Sequence, residues 1–148
     1  MTIVCVDNTP IMLQSLKENA KNAYPYADVQ TFLAAELALE YAEKFGCDVL
    51  LGEINPPRLE GLFLAEKMKK INPKVNIIFV TVCSESEHAK EVMRLKPSGY
   101  LTKEATNGQI LEELQNLLFQ AIGIAPGSQS GYLIPPLRSH LQGLHTDG

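Results

Sequence analysis

Cysteine is scarce in this 148-residue chain: Cys5, Cys47 and Cys83 are odd in number, form no CxxC pair and show no Cys/His ligand spacing. That excludes a disulfide framework and argues against a structural metal site. Two of the three sit inside apolar runs, as reduced core thiols of a cytosolic protein do. No apolar run approaches about 18 residues. The opening MTIVCVDN has no basic n-region, so neither a membrane span nor a signal peptide is expected and the expected location is cytoplasmic. Positive charge is also short, with 13 Lys and Arg against 17 Asp and Glu and a net charge of −4. The chain lacks the electrostatic footprint of a phosphate-backbone binder, and direct nucleic-acid binding is not expected. No glycine-rich phosphate cradle or GxSxG nucleophile elbow is present, and His88, His140 and His145 stand far in sequence from the polar cluster described below. These absences weigh against a nucleotide- or flavin-binding enzyme.

What is present is an alternation of short apolar runs and amphipathic stretches, with 45% hydrophobic and 20% charged residues, enough for one full core. Thr2 to Val6 is a β-branched run ending at Asp7-Asn8, and Pro10 stands where a first helical turn tolerates it. Leu13, Leu16, Ala20 and Ala23 continue at helical spacing and stop before Pro25. Val29 to Phe32 predicts a second strand. From Ala34 a helix is predicted by Leu37, Ala38, Tyr41, Ala42 and Phe45, with Gly46 as its stop. Val49 to Leu51 is too short for a buried helix and ends through Glu53 in the breakers Asn55, Pro56 and Pro57. After Gly61, Leu64, Ala65, Met68 and Ile71 mark a third helix with lysines in its last turns. Val75 to Val82 is a fourth strand, and a helix carrying Ala89, Val92 and Met93, capped by Ser84 or Ser86, runs to Pro97 and Gly99. Tyr100-Leu101 is a fifth strand. The capping box Thr106-x-x-Gln109 opens a last helix facing inward with Ile110, Leu111, Leu114, Leu117 and Leu118.

Five β/α units of this kind predict an α/β fold, a flavodoxin-like doubly wound (βα)5 three-layer sandwich with a parallel sheet in the order 2-1-3-4-5. The domain is expected over residues 1–121. From Ala121 on, 28 residues hold five of the ten glycines and three of the nine prolines, with Arg138 and Asp147 the only charged residues. Residues 122–148 therefore read as a poorly ordered linker or tail, with weak docking segments at Tyr132 to Ile134 and Leu137 to Leu144.

In open parallel sheets, ligands collect outside the carboxyl ends of the strands, at the switch point. The predicted order brings Asp7 and Asn8, Glu53, Thr81 and Lys103 to neighbouring strand ends. Taken alone, Glu53 is equally a site carboxylate or a solvated acid, and a strand-end Thr or loop Lys is usually structural. Two acids, an amide, a hydroxyl and an ammonium at matching positions of four strands make a candidate site.

Over residues 1 to about 120 the chain resembles the receiver domain of two-component response regulators. VDNTP at 6–10 is similar to that family's VDDEP, EINPPRLEG at 53–61 to DIxMPxMDG, IIFVT at 77–81 to the strand ending in Thr or Ser, and GYLTK at 99–103 to DYLxKP. INPKVNIIFVT and SGYLTK look most like receivers that precede LytTR-type DNA-binding domains, for which the tail has no room. The resemblance implies a phosphorelay signalling module rather than an enzyme. Glu53 takes the phosphoacceptor position, Asp7 and Asn8 the acidic pocket, Thr81 and Tyr100 the switch, and Lys103 the cation that pairs with phosphoryl oxygens. A divalent metal would be held by Asp7, Glu53 and the backbone carbonyl of Asn55. Partners implied are proteins, a histidine kinase, an output protein or a second copy, meeting the face of helix 4, strand 5 and helix 5.

Two departures fall on the chemistry itself. Glu53 stands where the family has Asp, and a carboxylate one methylene farther out is displaced from in-line attack. Asn8 replaces one acid of a hard-cation site, so no cofactor is required and Mg²⁺ binding is expected to be weak. The sequence thus predicts a degenerate receiver, with Glu53 either a built-in partial phosphate mimic or a remnant in a fixed interaction module. The alternatives are an ordinary phosphoryl-accepting receiver with a weakened metal site, and a flavodoxin-like nucleotide- or flavin-binding protein.

Overall fold

The computed structural model describes residues 1–54, 60–81, 85–102 and 107–122. Five strands and five helices alternate: β1 (Thr2–Val6), α1 (Pro10–Ala23), β2 (Asp28–Phe32), α2 (Ala35–Phe45), β3 (Val49–Gly52), α3 (Glu60–Ile71), β4 (Asn76–Thr81), α4 (Glu85–Arg94), β5 (Gly99–Thr102) and α5 (Asn107–Ile122). All four ladders are parallel, and the sheet order is β2-β1-β3-β4-β5, as expected from the alternation. Ser84, the threonine of the α5 capping box and residues 123–148 lie outside the described residues, and Ser86, the other cap expected for α4, falls inside that helix instead of at its N-cap.

Side chains alternate across a strand, so each strand feeds two cores. Val4, Val6, Leu50, Ile77 and Phe79 pack on one face against Ala38 and Ala42 of α2, Leu64, Ala65 and Met68 of α3 and Val92 of α4. Ile3, Cys5, Val49, Leu51, Ile78 and Val80 pack on the other against Leu13, Leu16, Ala20 and Ala23 of α1 and Leu114 of α5. Burying side chains of this size contributes roughly 1.5–3 kcal/mol each, which is why the continuous apolar runs settle as interior parallel strands. Cys5 and Cys47 are buried free thiols, and Cys83 lies outside the described residues.

Polar contacts pin the end of the sheet remote from Asp7 and Glu53. The Thr2 backbone N–H donates to Asp48 Oδ2 at 2.8 Å and Asn72 Nδ2 donates to the Cys47 carbonyl at 3.1 Å. Gly46 closes α2 with φ 83°, its N–H donating to Ala42 O at 2.8 Å. Such a left-handed stop suits glycine.

The packing divides the apolar positions that marked the helices between core and flank. In α2 the small Ala38 and Ala42 face the core, whereas Leu37 and Phe45 are exposed. Ile71 and Met93, which helped to mark α3 and α4 by their spacing, are also exposed, beside the buried Met68 and Val92. Apolar periodicity identifies a helix, but the side facing the sheet depends on which residues let the helix approach. Alanines allow close contact with a strand surface, and the larger side chains are left on the flank.

Candidate functional site

The ladder register carries the polar residues to one end of the sheet. Val6 stands opposite Gly52, Gly52 opposite Phe79, and Phe79 opposite Tyr100. Asp7 and Glu53 therefore leave adjacent strands at the same level, each one residue past its ladder. Asp7 is 2% exposed and Glu53 8%, and each carries a fully buried carboxylate oxygen, Oδ2 and Oε1. Bringing two carboxylates out of water on neighbouring strands is costly unless the surroundings compensate, and both residues take part in further interactions there. Asn8 is exposed at the surface.

Thr9, which sequence reasoning passed over, fixes Asp7. Its backbone N–H and its hydroxyl both donate to Asp7 Oδ1, at 2.9 and 2.8 Å. Thr9 is also the N-cap of α1 but makes no side-chain cap bond to that helix, because its hydroxyl is turned back to the acid. The Asp7 N–H donates to Phe32 O at 3.2 Å, which ties the acid's backbone to β2. The spacing Asp-x-Thr, an Asx-type turn, was the available signal.

Thr81 is fully buried at the end of β4, and its hydroxyl donates to the Ile54 carbonyl, one residue after Glu53, at 3.2 Å. Tyr100 packs edge-on against Phe79, with ring centroids 6.4 Å apart and an interplanar angle of 62°. Thr81, Phe79 and Tyr100 share one face by strand alternation and by the pairing of Phe79 with Tyr100 and of Thr81 with Thr102. Of the residues expected at the site, Asp7, Glu53, Thr81 and Tyr100 thus gather at or beside the carboxyl ends of β1, β3, β4 and β5. Lys103 and Asn55 lie outside the described residues.

Gly61 is a second residue that sequence reasoning left without a role. A Cβ there would collide with the Glu53 carbonyl oxygen and lie 2.7 Å from its carbonyl carbon and 3.1 Å from Ile54 Cα. Only glycine lets the first turn of α3 approach the strand end so closely. The signal was the glycine just inside a helix start, where it has no helical advantage.

As a donor set for a divalent metal, the described part of the site offers two buried carboxylates and an exposed amide. Among the described residues no three His, Cys, Asp or Glu side chains cluster as a metal cage.

Residues 3–115 match the family described as response regulator receiver domain. The chain belongs to that family. A receiver is a signalling module and not a classical enzyme. The DegU transcriptional regulatory protein of Brevibacillus brevis is 24% identical over 113 residues, covering 76% of this receiver and 48% of that protein. The nitrate/nitrite response regulator NarL of Escherichia coli is 24% identical over 113 residues, covering 76% and 52%. The response regulator GacA of Pseudomonas syringae is 27% identical over 82 residues, covering 55% and 38%. The chain spans about half the length, or less, of these curated relatives, and none of the three carries the LytTR label that INPKVNIIFVT and SGYLTK suggested. In fold, the receiver resembles a CheY-like receiver domain protein from Methanospirillum hungatei, with a TM-score of 0.71 at 24% identity over 81% of this chain and 94% of that one. It also resembles a BeF3-activated DrrB receiver domain, with a TM-score of 0.68 at 21% identity over 79% and 96%. Among the described residues no helix is long and apolar enough to cross a membrane.

Proposed function

We propose that this receiver is degenerate at its phosphoacceptor position and works as a phosphorylation-independent interaction switch, biased by Glu53 as a partial mimic of a phosphorylated acceptor. The observation that carries this reading is the burial of Glu53 at the strand end, beside a Thr81 hydroxyl already turned to the adjoining Ile54 carbonyl. Phosphoryl transfer depends on placing the acceptor in line and compensating charge, and the longer glutamate with Asn8 in the pocket meets neither need. Mg²⁺ binding at Asp7, Glu53 and Asn55 is correspondingly weak, because a hard cation favours anionic oxygens.

The mimic is partial on energetic grounds. A phosphoryl group carries about −1.5 to −2 charges, against the single charge of a carboxylate. One charge-assisted hydrogen bond contributes about 1.5–3 kcal/mol, while moving a switch from 1:99 to 99:1 takes about 5.5 kcal/mol. Glu53 with Lys103 and Thr81 therefore shifts the population only in part. The readout in this proposal is protein binding in the cytoplasm, through the face made by α4, β5 and α5, to a second copy, a histidine kinase or an output protein.

Two measurements test it. The chain is incubated with a small-molecule phosphodonor and Mg²⁺ and examined by intact mass. A phosphoryl adduct mapping to Glu53 would restore ordinary receiver chemistry and end the proposal. Glu53→Gln keeps the shape and removes the charge. Self-association or partner capture should weaken, and an unchanged result would leave an inert module in place of a mimic.

A further inference from the structure

Large apolar side chains are left uncovered along α2, beside the edge strand β2. Leu33, Leu37 and Phe45 are 53%, 52% and 66% exposed. Residues four apart lie on one side of a helix, so Leu37, Tyr41 and Phe45 form a row along the flank of α2, with Leu33 just before its first turn. The row is held in shape by its own rings. Tyr41 packs against Phe45 at 4.8 Å and against Phe32 at 5.5 Å, and its hydroxyl donates to Asp28 Oδ2 at 3.0 Å. A surface fixed in advance loses little freedom on binding.

The two ends of the row differ in shape. At the C-terminal end Phe45 stands out as a knob. At the N-terminal end Leu33 and Leu37 line a hollow of about 430 Å³, shared with Leu13 and Lys17 of α1. Leu37 and Phe45 are two spacings of four apart, which sets knob and hollow about 12 Å from each other along the helix axis. Charge is divided in the same way. The row next to the apolar one, again at spacings of four, is Glu36, Glu40 and Lys44, all exposed. It is acidic toward the hollow and basic toward the knob. Glu43 lies farther round the helix, beyond this row, and Lys17 belongs to α1.

We propose that this face docks a second copy of the chain about a two-fold axis near Tyr41, with the two α2 helices antiparallel. In such a contact each residue meets a residue that it is met by in return. Antiparallel alignment brings Phe45 of each copy to the hollow lined by Leu33 and Leu37 of the other, and Lys44 of each toward Glu36 and Glu40 of the other. Parallel alignment would set knob on knob and acid on acid, which like charges oppose. The second copy is the occupant favoured by this division, because the patch carries both a knob and a hollow, and both an acidic and a basic end, in the order that reversal matches.

The test is sedimentation of the full chain between about 10 μM and 1 mM, the weak range expected of a small interface. The chain should dimerise within that range, and amides from Leu33 to Phe45 should shift with concentration in heteronuclear NMR spectra. Phe45→Ser and Leu37→Asn alter exposed positions, and each should weaken dimerisation about tenfold or more, equivalent to about 1.4 kcal/mol. Lys44→Glu makes the charged row wholly acidic, and the double variant Glu36→Lys with Glu40→Lys makes it wholly basic. Each of these alone should dimerise less than the parent, and an equal mixture should form the mixed dimer. Phe45→Ser also leaves any association through α4, β5 and α5 to be read by itself. The proposal is overturned if the chain stays monomeric at about 1 mM, if Phe45→Ser leaves the dimer intact, or if the mixture associates no better than either charge variant alone.

Discussion

Gly61 lies so close to Glu53 that no side chain fits between the first turn of α3 and the end of β3, since a Cβ on Gly61 would fall on the Glu53 carbonyl. The obstacle is backbone, which cannot swing aside as the end of a flexible side chain can. Gly61→Ala should therefore destabilise the fold by about 3 kcal/mol or more, at the upper end of overpacking costs. Urea unfolding measures this. A loss below about 0.5 kcal/mol, the range of ordinary surface substitutions, would show that the helix start can shift.

Thr9 and Asp7 form the second testable pair. Removing the hydroxyl in Thr9→Val deletes the 2.8 Å bond to Oδ1 and keeps the backbone donor at 2.9 Å. A hydrogen bond to a charged group contributes about 1.5–3 kcal/mol, and the exposure of Thr9 puts the expected loss toward or below the lower figure. A double-mutant cycle with Asp7→Asn should give a clear coupling energy. Additivity would mean that the hydroxyl contributes only as a helix neighbour.

Buried acids of a weaker kind set an alkaline limit. Burial pushes the Cys5 thiol up to about 12, with Cys47 adding to the shift and Lys17 opposing it. Burial likewise pushes Cys47 to about 12, and its Sγ donates to Val49 O at 3.3 Å. Tyr24 is raised by burial to about 12. Each group is raised in the fold, so above its ordinary range the unfolded chain releases the proton first and binds fewer protons than the native state. Stability from these groups is complete below pH 9.0 and declines as pH rises toward about 12. Urea midpoints taken across pH 7–11 should fall at the alkaline end, and Cys5→Ala with Cys47→Ala should flatten that fall relative to the parent.

Lys96 follows α4 with φ 51°, a left-handed conformation in which a side chain crowds its own backbone. Its N–H still donates to Met93 O at 3.0 Å, closing the helix. Lys96→Gly should stabilise the chain by about 1 kcal/mol, read as a higher urea midpoint at unchanged slope. A loss of stability would mean that the lysine chain makes a contact worth more than the strain.

The order of elements was legible because β-branched runs and amphipathic stretches alternate with little ambiguity, and parallel topology leaves few arrangements. Val49 to Leu51 and Val75 to Val82 could hardly be read as anything but strands. The strand-end positions of Asp7, Glu53 and Thr81 followed from the same pattern. Which of Leu37, Ala38, Ala42 and Phe45 would face the core was not legible, because periodicity records a spacing and carries no information on how near a helix comes to its sheet. Thr9 and Gly61 were passed over for a related reason. Their roles are contacts with Asp7 Oδ1 and the Glu53 carbonyl, and a contact across a turn or between elements leaves only faint marks in a linear string.

The register that gathers the site also separates its chemistry from its architecture. Asp7 and Glu53 stand one residue beyond the paired segments of β1 and β3, so the ladders close at Val6 and Gly52 whatever side chains follow. A glutamate at 53 and an asparagine at 8 leave every strand pairing intact. On the proposed reading, the groups at the rim can be exchanged while the strand pairings of the scaffold stay in place. An inserted residue in β3 would have no such freedom, because it would turn the strand end to the opposite face.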